Sequence, residues 1–132
     1  MIEMGPRYSV EVLRRLRETP GAGDPASGPT AVVGRAGDRE QGAEVELAFV
    51  IGQGKVLEAR FRAYGCPHFI AGASWLTERL SGATRDELAA WDWRDVAEAL
   101  EVPPAKFGRL LTLQDAVRGA VANWPGEGGS AV

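Results

Sequence analysis

The stretch A-E-V-E-L-A-F-V-I-G-Q-G-K-V-L-E-A-R-F-R-A-Y, residues 43–64, decides the fold of this chain. Its first nine residues begin by alternating between apolar and polar side chains, which is typical of a β-strand with one buried face. A second alternating run follows Gly52-Gln53-Gly54, and a short glycine-containing link between two such runs predicts a β-hairpin. In the second strand we expect the apolar face to consist of Leu57, Ala59, Phe61 and Ala63, opposite Val56, Glu58, Arg60 and Arg62.

Upstream of the hairpin, the pattern predicts a third strand, a loop and a helix. T-A-V-V-G, residues 30–34, favours a short strand, and the polar residues 35–41 favour a turn. Residues 19–30 contain three prolines and three glycines, so we expect a mobile loop there. Residues 1–20 hold a helix that Ser9 can cap, with its apolar groups on one side and its arginines (Arg14, Arg15 and Arg17) outside.

Downstream, the sequence becomes helical. Gly65-Cys66-Pro67 interrupts the second strand of the hairpin, and Pro67 suits the first position of a helix. Thr84 and Glu87 form a capping box for a short helix, and the clearest helical period runs from Phe107 to Trp124. Strands grouped before helices predict an α+β fold: a three-stranded antiparallel sheet with helices packed on one face. We expect one domain over residues 1–124 and a disordered tail over residues 125–132.

Composition restricts the function. The net charge of −3 argues against a basic surface for nucleic acid, and the longest apolar run, Leu47 to Ile51, is too short to span a membrane. The N-terminal residues lack a signal-peptide core, so we expect a cytoplasmic protein. A single cysteine rules out an internal disulfide and an all-cysteine metal site within one chain. No Walker A loop, zinc-protease pair or nucleophile elbow is present, so we predict that the protein is not an enzyme.

Four segments, in order, resemble the IscU/NifU-type iron–sulfur scaffold family. Tyr8-Ser9 opens the first helix, and Ala36-Gly37-Asp38 stands where the family has Cys-Gly-Asp. Residues 61–66, F-R-A-Y-G-C, match the strand that ends in the family's Phe-Gly-Cys. The last segment, similar to the family's Leu-Pro-Pro-Val-Lys, consists of Val102, Pro103, Pro104, Ala105 and Lys106. The resemblance implies a SufE/IscU-like fold across nearly the whole chain.

The chain also departs from the family at the pocket. The family holds its metal or cluster with three cysteines, an aspartate and a histidine. The resemblance places Ala36 at the first cysteine, keeps Asp38 and Cys66, and puts Gly108-Arg109 at the family's His-Cys pair. It implies a reduced or altered set, with Asp38 and Cys66 as metal ligands and His68 as an accessory group. The cargo would be an iron–sulfur cluster or a single zinc or iron ion, or nothing at all.

The sequence leaves three functions open. The resemblance implies a scaffold-like protein of iron–sulfur cluster assembly, working with a cysteine desulfurase and an Hsp70-type chaperone that grips residues 102–106. Alternatively, Cys66 accepts persulfide sulfur, as the single loop cysteine of the similar SufE family does. A third reading is an interaction module that binds a desulfurase or chaperone and carries nothing. Either a monomer or a dimer is compatible with these readings, because a two-fold dimer would double the ligand set.

Local chemistry adds two expectations around Cys66. Arg109, a fixed cation, disfavours a metal ion, and we predict that it pairs with Asp38 in place of the missing metal. Exposed N–H groups at the start of a helix stabilise a thiolate, which favours sulfur chemistry at Cys66. We expect His68 to be a surface or capping residue.

Overall fold

The structure, a computed structural model, describes residues 8–23 and 31–124. Along the described part of the chain, a three-stranded antiparallel sheet follows one helix and precedes four others, which confirms the predicted α+β class. The strands, in spatial order, are β1 (Ala31–Asp38), β2 (Ala43–Gly52) and β3 (Lys55–Tyr64). The helices are α1 (Val10–Glu18), α2 (Pro67–Arg79), α3 (Arg85–Ala90), α4 (Arg94–Leu100) and α5 (Phe107–Ala122), with short 3-10 turns at Arg39–Gln41 and Pro104–Lys106.

Several expectations fall outside the described residues. They are the tail over residues 125–132, most of the loop predicted over residues 19–30, and the start of the chain. No helix of the described part is long and apolar enough to cross a membrane.

The central hairpin forms as predicted, with one difference in which side chains of β3 face the core. Gln53 and Gly54 both have positive φ, 56° and 77°, which is the signature of a two-residue type I′ turn. The register shifts between Val50, opposite Glu58, and Ile51, opposite Val56, so Leu57 is an extra residue in β3. The predicted faces are therefore wrong at the start of this strand: Val56 is buried and Leu57 is 62% exposed.

The strand β1 is longer than its sequence suggests. It was expected to end at Gly34, but it pairs with β2 as far as Asp38, opposite Ala43. Pairing along β2 overrides the weak strand propensity of these small and polar residues. Gly37 has φ 92° and a Cβ there would lie 2.2 Å from the Ala43 carbonyl oxygen, so this position requires glycine.

The helices lie on one face of the sheet, as predicted. The fully buried side chains of β2, including Leu47 and Phe49, face α2 and α5, and burying each contributes roughly 1.5–3 kcal/mol. Pro67 occupies the start of α2, and Cys66 precedes it as the N-cap residue. The Thr84–Glu87 capping box of α3 is present in both directions.

The first helix begins where it was predicted, but one of its arginines does not face solvent. Ser9 caps α1 by accepting a hydrogen bond from the Val12 N–H at 3.2 Å, and its hydroxyl donates to the Leu100 carbonyl at 2.9 Å. Arg15, expected outside with its neighbours, is 5% exposed. Carboxylate and hydroxyl partners on α1 and α2 offset the free-energy cost of burying this charge.

Candidate functional site

Three of the predicted site residues come from segments that meet around Gly42. Asp38 ends β1, and the following 3-10 turn leads directly into Gly42. On the neighbouring side, Gly65 lies so close that its added Cβ would be 3.3 Å from the Gly42 carbonyl oxygen. From α5, Arg109 reaches the same turn, because a Cβ on Gly42 would lie 3.1 Å from the Arg109 Nη2. The fold therefore brings the segments of Asp38, Cys66 and Arg109 together.

The predicted ion pair between Asp38 and Arg109 is wrong. The Asp38 Oδ1 accepts a hydrogen bond from the Glu40 N–H at 2.8 Å and caps the 3-10 turn. The Arg109 Nη1 donates instead to the Gln41 carbonyl at 3.3 Å. An adjacent backbone N–H satisfies the exposed carboxylate without ordering a long side chain, and exposed pairs contribute little. The Arg109 side chain is therefore held to the turn by the Gln41 backbone carbonyl and not by the Asp38 carboxylate.

Cys66 lies at the junction of β3 and α2, half-buried against the core. Its carbonyl accepts from the N–H groups of Phe69 and Ile70, both at 3.0 Å, while its side chain makes no capping hydrogen bond. The helix that starts here has 13 residues, and the N–H groups of its first turn point toward the N-cap position. Cys66 therefore lies at the end of α2 toward which the first-turn N–H groups point.

The ligand set is incomplete. Across residues 8–23 and 31–124, no three histidine, cysteine, aspartate or glutamate side chains group closely enough to hold a metal ion. Ala36, half-buried in β1, and Gly108, exposed on α5 with open space around its Cα, carry no ligand atoms. Zinc sites and [2Fe–2S] clusters normally use four protein groups. The described part of one chain does not fit either of them.

His68 is buried, contrary to the expectation of a surface or capping role. Its ring is 2% exposed, and both ring nitrogens lack a hydrogen-bond partner. Tyr8 lies against it, with ring centroids 4.8 Å apart. Burial lowers the pKa of His68, and the positive charge of Lys106 lowers it further. Leaving buried polar atoms unpaired costs about 1–3 kcal/mol each, so His68 is an energetic liability in this position.

The proline-rich segment presents three exposed residues. Val102 is buried, and its N–H donates to the Ala97 carbonyl at 3.0 Å, whereas residues 103–105 are exposed. An open, mainly apolar groove of about 420 Å³ adjoins the segment, with Trp93 and Phe107 among its lining residues. The segment is therefore available for contact, although its first side chain belongs to the core.

The fold and the site together define a class: small α+β proteins that present a cysteine where an antiparallel sheet passes into a helix. The sequence model of the family described as NifU-like N terminal domain matches residues 7–130. The chain belongs to this family.

Relatives with assigned names support the same grouping. The iron–sulfur cluster assembly scaffold protein IscU of Escherichia coli (strain K12) is 39% identical over 72 residues, which cover 54% of this chain and 56% of that protein. The iron–sulfur cluster assembly protein IscU of Plasmodium falciparum is 35% identical over 95 residues, covering 72% and 57%. The match thus spans little more than half the length of these relatives.

Solved structures confirm the fold. A putative iron–sulfur cluster assembly scaffold protein for the SUF system from Fervidobacterium islandicum superposes with a TM-score of 0.63 at 19% identity, covering 86% of this chain and 96% of that one. A nitrogen-fixing NifU-like protein (N-terminal) from Brucella abortus gives 0.53 at 22% identity, covering 86% and 82%. At such identities the likeness establishes the architecture alone.

Proposed function

We propose that this chain is a scaffold-like, non-catalytic protein of iron–sulfur cluster assembly whose working group is Cys66. The observation that carries the proposal is the convergence of the Asp38, Cys66 and Arg109 segments on the Gly42 turn, within a NifU-type fold. The IscU relatives, named as cluster assembly proteins, support it. The cytoplasmic location expected from the sequence stays a prediction.

The cargo would be held by an altered ligand set. One chain offers Cys66 and Asp38 for an iron–sulfur cluster or a single zinc or iron ion, and two copies related by a two-fold axis would offer four groups. Asp38 would have to exchange its bond to the Glu40 N–H for the metal. His68, dry and buried in this conformation, would join only after it became exposed.

A persulfide role is the second candidate, and Arg109 favours it. A cation on the Gly42 turn opposes a metal ion but suits an anionic sulfur, as does the start of α2. The Cys66 thiolate would attack the terminal sulfur of a donor's cysteine persulfide. A new S–S bond forms on Cys66, the donor's S–S bond breaks, and the donor cysteine leaves as a thiolate.

Partners follow from the same proposal. A cysteine desulfurase would supply the sulfur, and an Hsp70-type chaperone would contact the exposed residues Pro103, Pro104 and Ala105, with Lys106 beside them. A protein that docks these partners without carrying sulfur or metal is the third candidate. Whether Cys66 acquires sulfur or metal distinguishes this third candidate from the other two.

The first experiment measures sulfur loading. The chain is incubated with a cysteine desulfurase and free cysteine, and intact-mass spectrometry is used to detect a gain of one sulfur on Cys66. We expect loading of the wild type, slower loading of Arg109→Met, and none of Cys66→Ser. Arg118→Met, which alters an exposed arginine further along α5, is the matched control and should load normally.

The second experiment measures metal and cluster binding after anaerobic reconstitution, by absorbance and metal analysis. A coloured protein that loses its cluster on Cys66→Ser supports the scaffold role. A colourless, metal-free product that still accepts sulfur supports the persulfide role. If neither sulfur nor metal is found on Cys66 and the Cys66→Ser variant still complements in the cell, both carrier roles are wrong and the docking module remains.

A further inference from the structure

The helix α1 is held to the rest of the protein by a small apolar contact together with one buried arginine. Of its nine residues, only Val12 and Arg15 are buried, while Val10 is 84% and Leu13 46% exposed. A surface helix normally attaches through a broad apolar stripe. In α1 the apolar contact is narrow, since it consists of buried Val12 and half-buried Leu16, and the buried Arg15 lies beside them.

Arg15 is the centre of this attachment. Its Nε donates to Glu11 on α1 at 2.6 Å, its Nη1 to the Ser74 hydroxyl at 3.0 Å, and its Nη2 to Glu78 at 2.7 Å. The last two partners belong to α2, so one guanidinium joins the two helices. Because one guanidinium makes all three charge-assisted bonds, a single substitution at Arg15 removes the whole set.

The same network holds the segment that follows α1. The Ser74 hydroxyl donates to the Pro20 carbonyl at 2.8 Å, and the Arg15 carbonyl accepts from the Thr19 N–H at 2.8 Å. Beyond it, Gly21 and Gly23 exchange backbone hydrogen bonds with Phe61 on the edge of β3. We call residues 8–23 the α1 clasp, because they are tied to the body of the protein as one unit.

The other end of the α1 clasp lies over His68. Tyr8 contacts the imidazole, whose two nitrogens are buried without partners. An opening that let water reach these nitrogens would remove the penalty of burying them without partners. The Arg15 network favours the closed position, while the dry imidazole favours the open one.

We propose that the α1 clasp is a latched cover that opens as a unit, with Arg15 as its latch, and that opening exposes His68 beside Cys66. These two residues share the first turn of α2, so the open form presents an imidazole and a thiol at one helix end. The proposal depends on the contacts of residues 8–23 and holds whether Cys66 carries sulfur, metal or neither.

The test uses the fact that His68 is the sole histidine of the chain. Carbethoxylation of His68 by diethyl pyrocarbonate, located by peptide mass spectrometry, measures its exposure in the folded protein. Arg15→Met removes the guanidinium but still fills the space with an unbranched side chain. We expect it to accelerate modification of His68 by about tenfold or more. Arg17→Met is the matched control: Arg17 is exposed and makes no ion pair or side-chain hydrogen bond with the described residues, so the rate should stay within about twofold.

Amide hydrogen exchange of the wild type provides a readout that does not depend on how the variants fold. In the wild type, amides of residues 10–18 should exchange faster than those of β2 and α5. In His68→Phe, which removes the unpaired ring nitrogens, exchange of the amides of residues 10–18 should be slower than in the wild type. Equal protection of α1 and α5 would mean that α1 opens only on global unfolding, and would overturn the proposal. So would an unchanged His68 modification rate in a folded Arg15→Met variant.

Discussion

At the scale of single residues, two buried polar side chains on facing elements have opposite surroundings. The guanidinium of Arg15 has carboxylate and hydroxyl partners, whereas the imidazole of His68 has no hydrogen-bond partner. Replacing Arg15 removes three charge-assisted hydrogen bonds, whereas an unsatisfied buried group destabilises the folded state. Substitution should therefore destabilise the protein at Arg15 and be tolerated at His68.

The burial of His68 predicts how stability depends on pH. In the unfolded chain His68 titrates near its ordinary pKa of about 6.5, whereas burial and Lys106 lower its pKa in the folded protein. The unfolded state therefore binds the proton first as pH falls. The free energy of unfolding should decrease as pH falls from about 7 to about 5, with a slope of at most about 1.4 kcal/mol per pH unit.

Urea unfolding at several pH values measures this slope. His68→Phe should flatten it in that range, because no other histidine is present and the carboxylates titrate mainly at lower pH. A slope of the same size in His68→Phe would contradict the assignment to His68.

At the scale of elements, α5 and β1 approach each other most closely at Gly34. A Cβ there would lie 1.9 Å from the Ala116 carbonyl oxygen and 2.6 Å from the Ala120 nitrogen, and both are backbone atoms of a helix. Gly34→Ala should force the helix away from the sheet and cost at least about 2 kcal/mol of unfolding free energy, measured by chemical denaturation. The reason is overpacking, not lost flexibility.

Gly108 on α5 provides the matched control. It is exposed and a Cβ there meets nothing within 4 Å, so Gly108→Ala should be neutral or stabilise by up to about 1 kcal/mol. A similar loss of stability for both substitutions would contradict the crowding explanation.

The elements show which parts of a fold a sequence can specify. The β2–β3 hairpin, the capping box of α3 and the start of α2 were predictable because their signals are local, within a few residues. The extension of β1 to Asp38 depends on its pairing with β2, and the facing of Leu57 depends on a register shift. Neither feature produces a repeating pattern of apolar and polar residues that could be recognised in the sequence.

The same distinction applies to the site residues. Arg15 finds its α2 partners, Ser74 and Glu78, about sixty positions away, so its sequence neighbourhood suggested only a charged surface. The proximity of the Asp38 and Arg109 segments was predictable from the family resemblance, whereas the failure to pair was not. Asp38 has a nearer partner in the Glu40 N–H, and that competition is decided by local backbone geometry.

At the scale of the whole molecule, the fold brings together the segments at which the family resemblance places a ligand pocket. β1, the junction before α2, and the start of α5 meet at the Gly42 turn. The buried residues of β2 and α5 that support this arrangement are apolar, apart from Gln114, and Ala43 directly follows the Gly42 turn. The core side chains that support the fold are therefore not those that would bind a ligand.

That separation predicts that metal binding can be restored. Ala36→Cys, Gly108→His and Arg109→Cys together would add two cysteines and one histidine to a site that has Asp38 and Cys66, and would remove the cation. Open space at Gly108 admits the imidazole. We expect the triple variant to bind about one zinc ion per chain, measured by metal analysis after dialysis, and to melt at a higher temperature with zinc than without.

The control for this prediction is the same triple variant with Cys66→Ser added. Four other groups would remain, but the cysteine that the fold presents at the start of α2 would be gone. If Cys66 belongs to the restored site, zinc affinity should fall by at least about tenfold, because the thiolate is a far better zinc ligand than a hydroxyl. Equal zinc affinity with and without Cys66 would show that the added residues bind metal elsewhere and that the positions do not converge as the structure indicates.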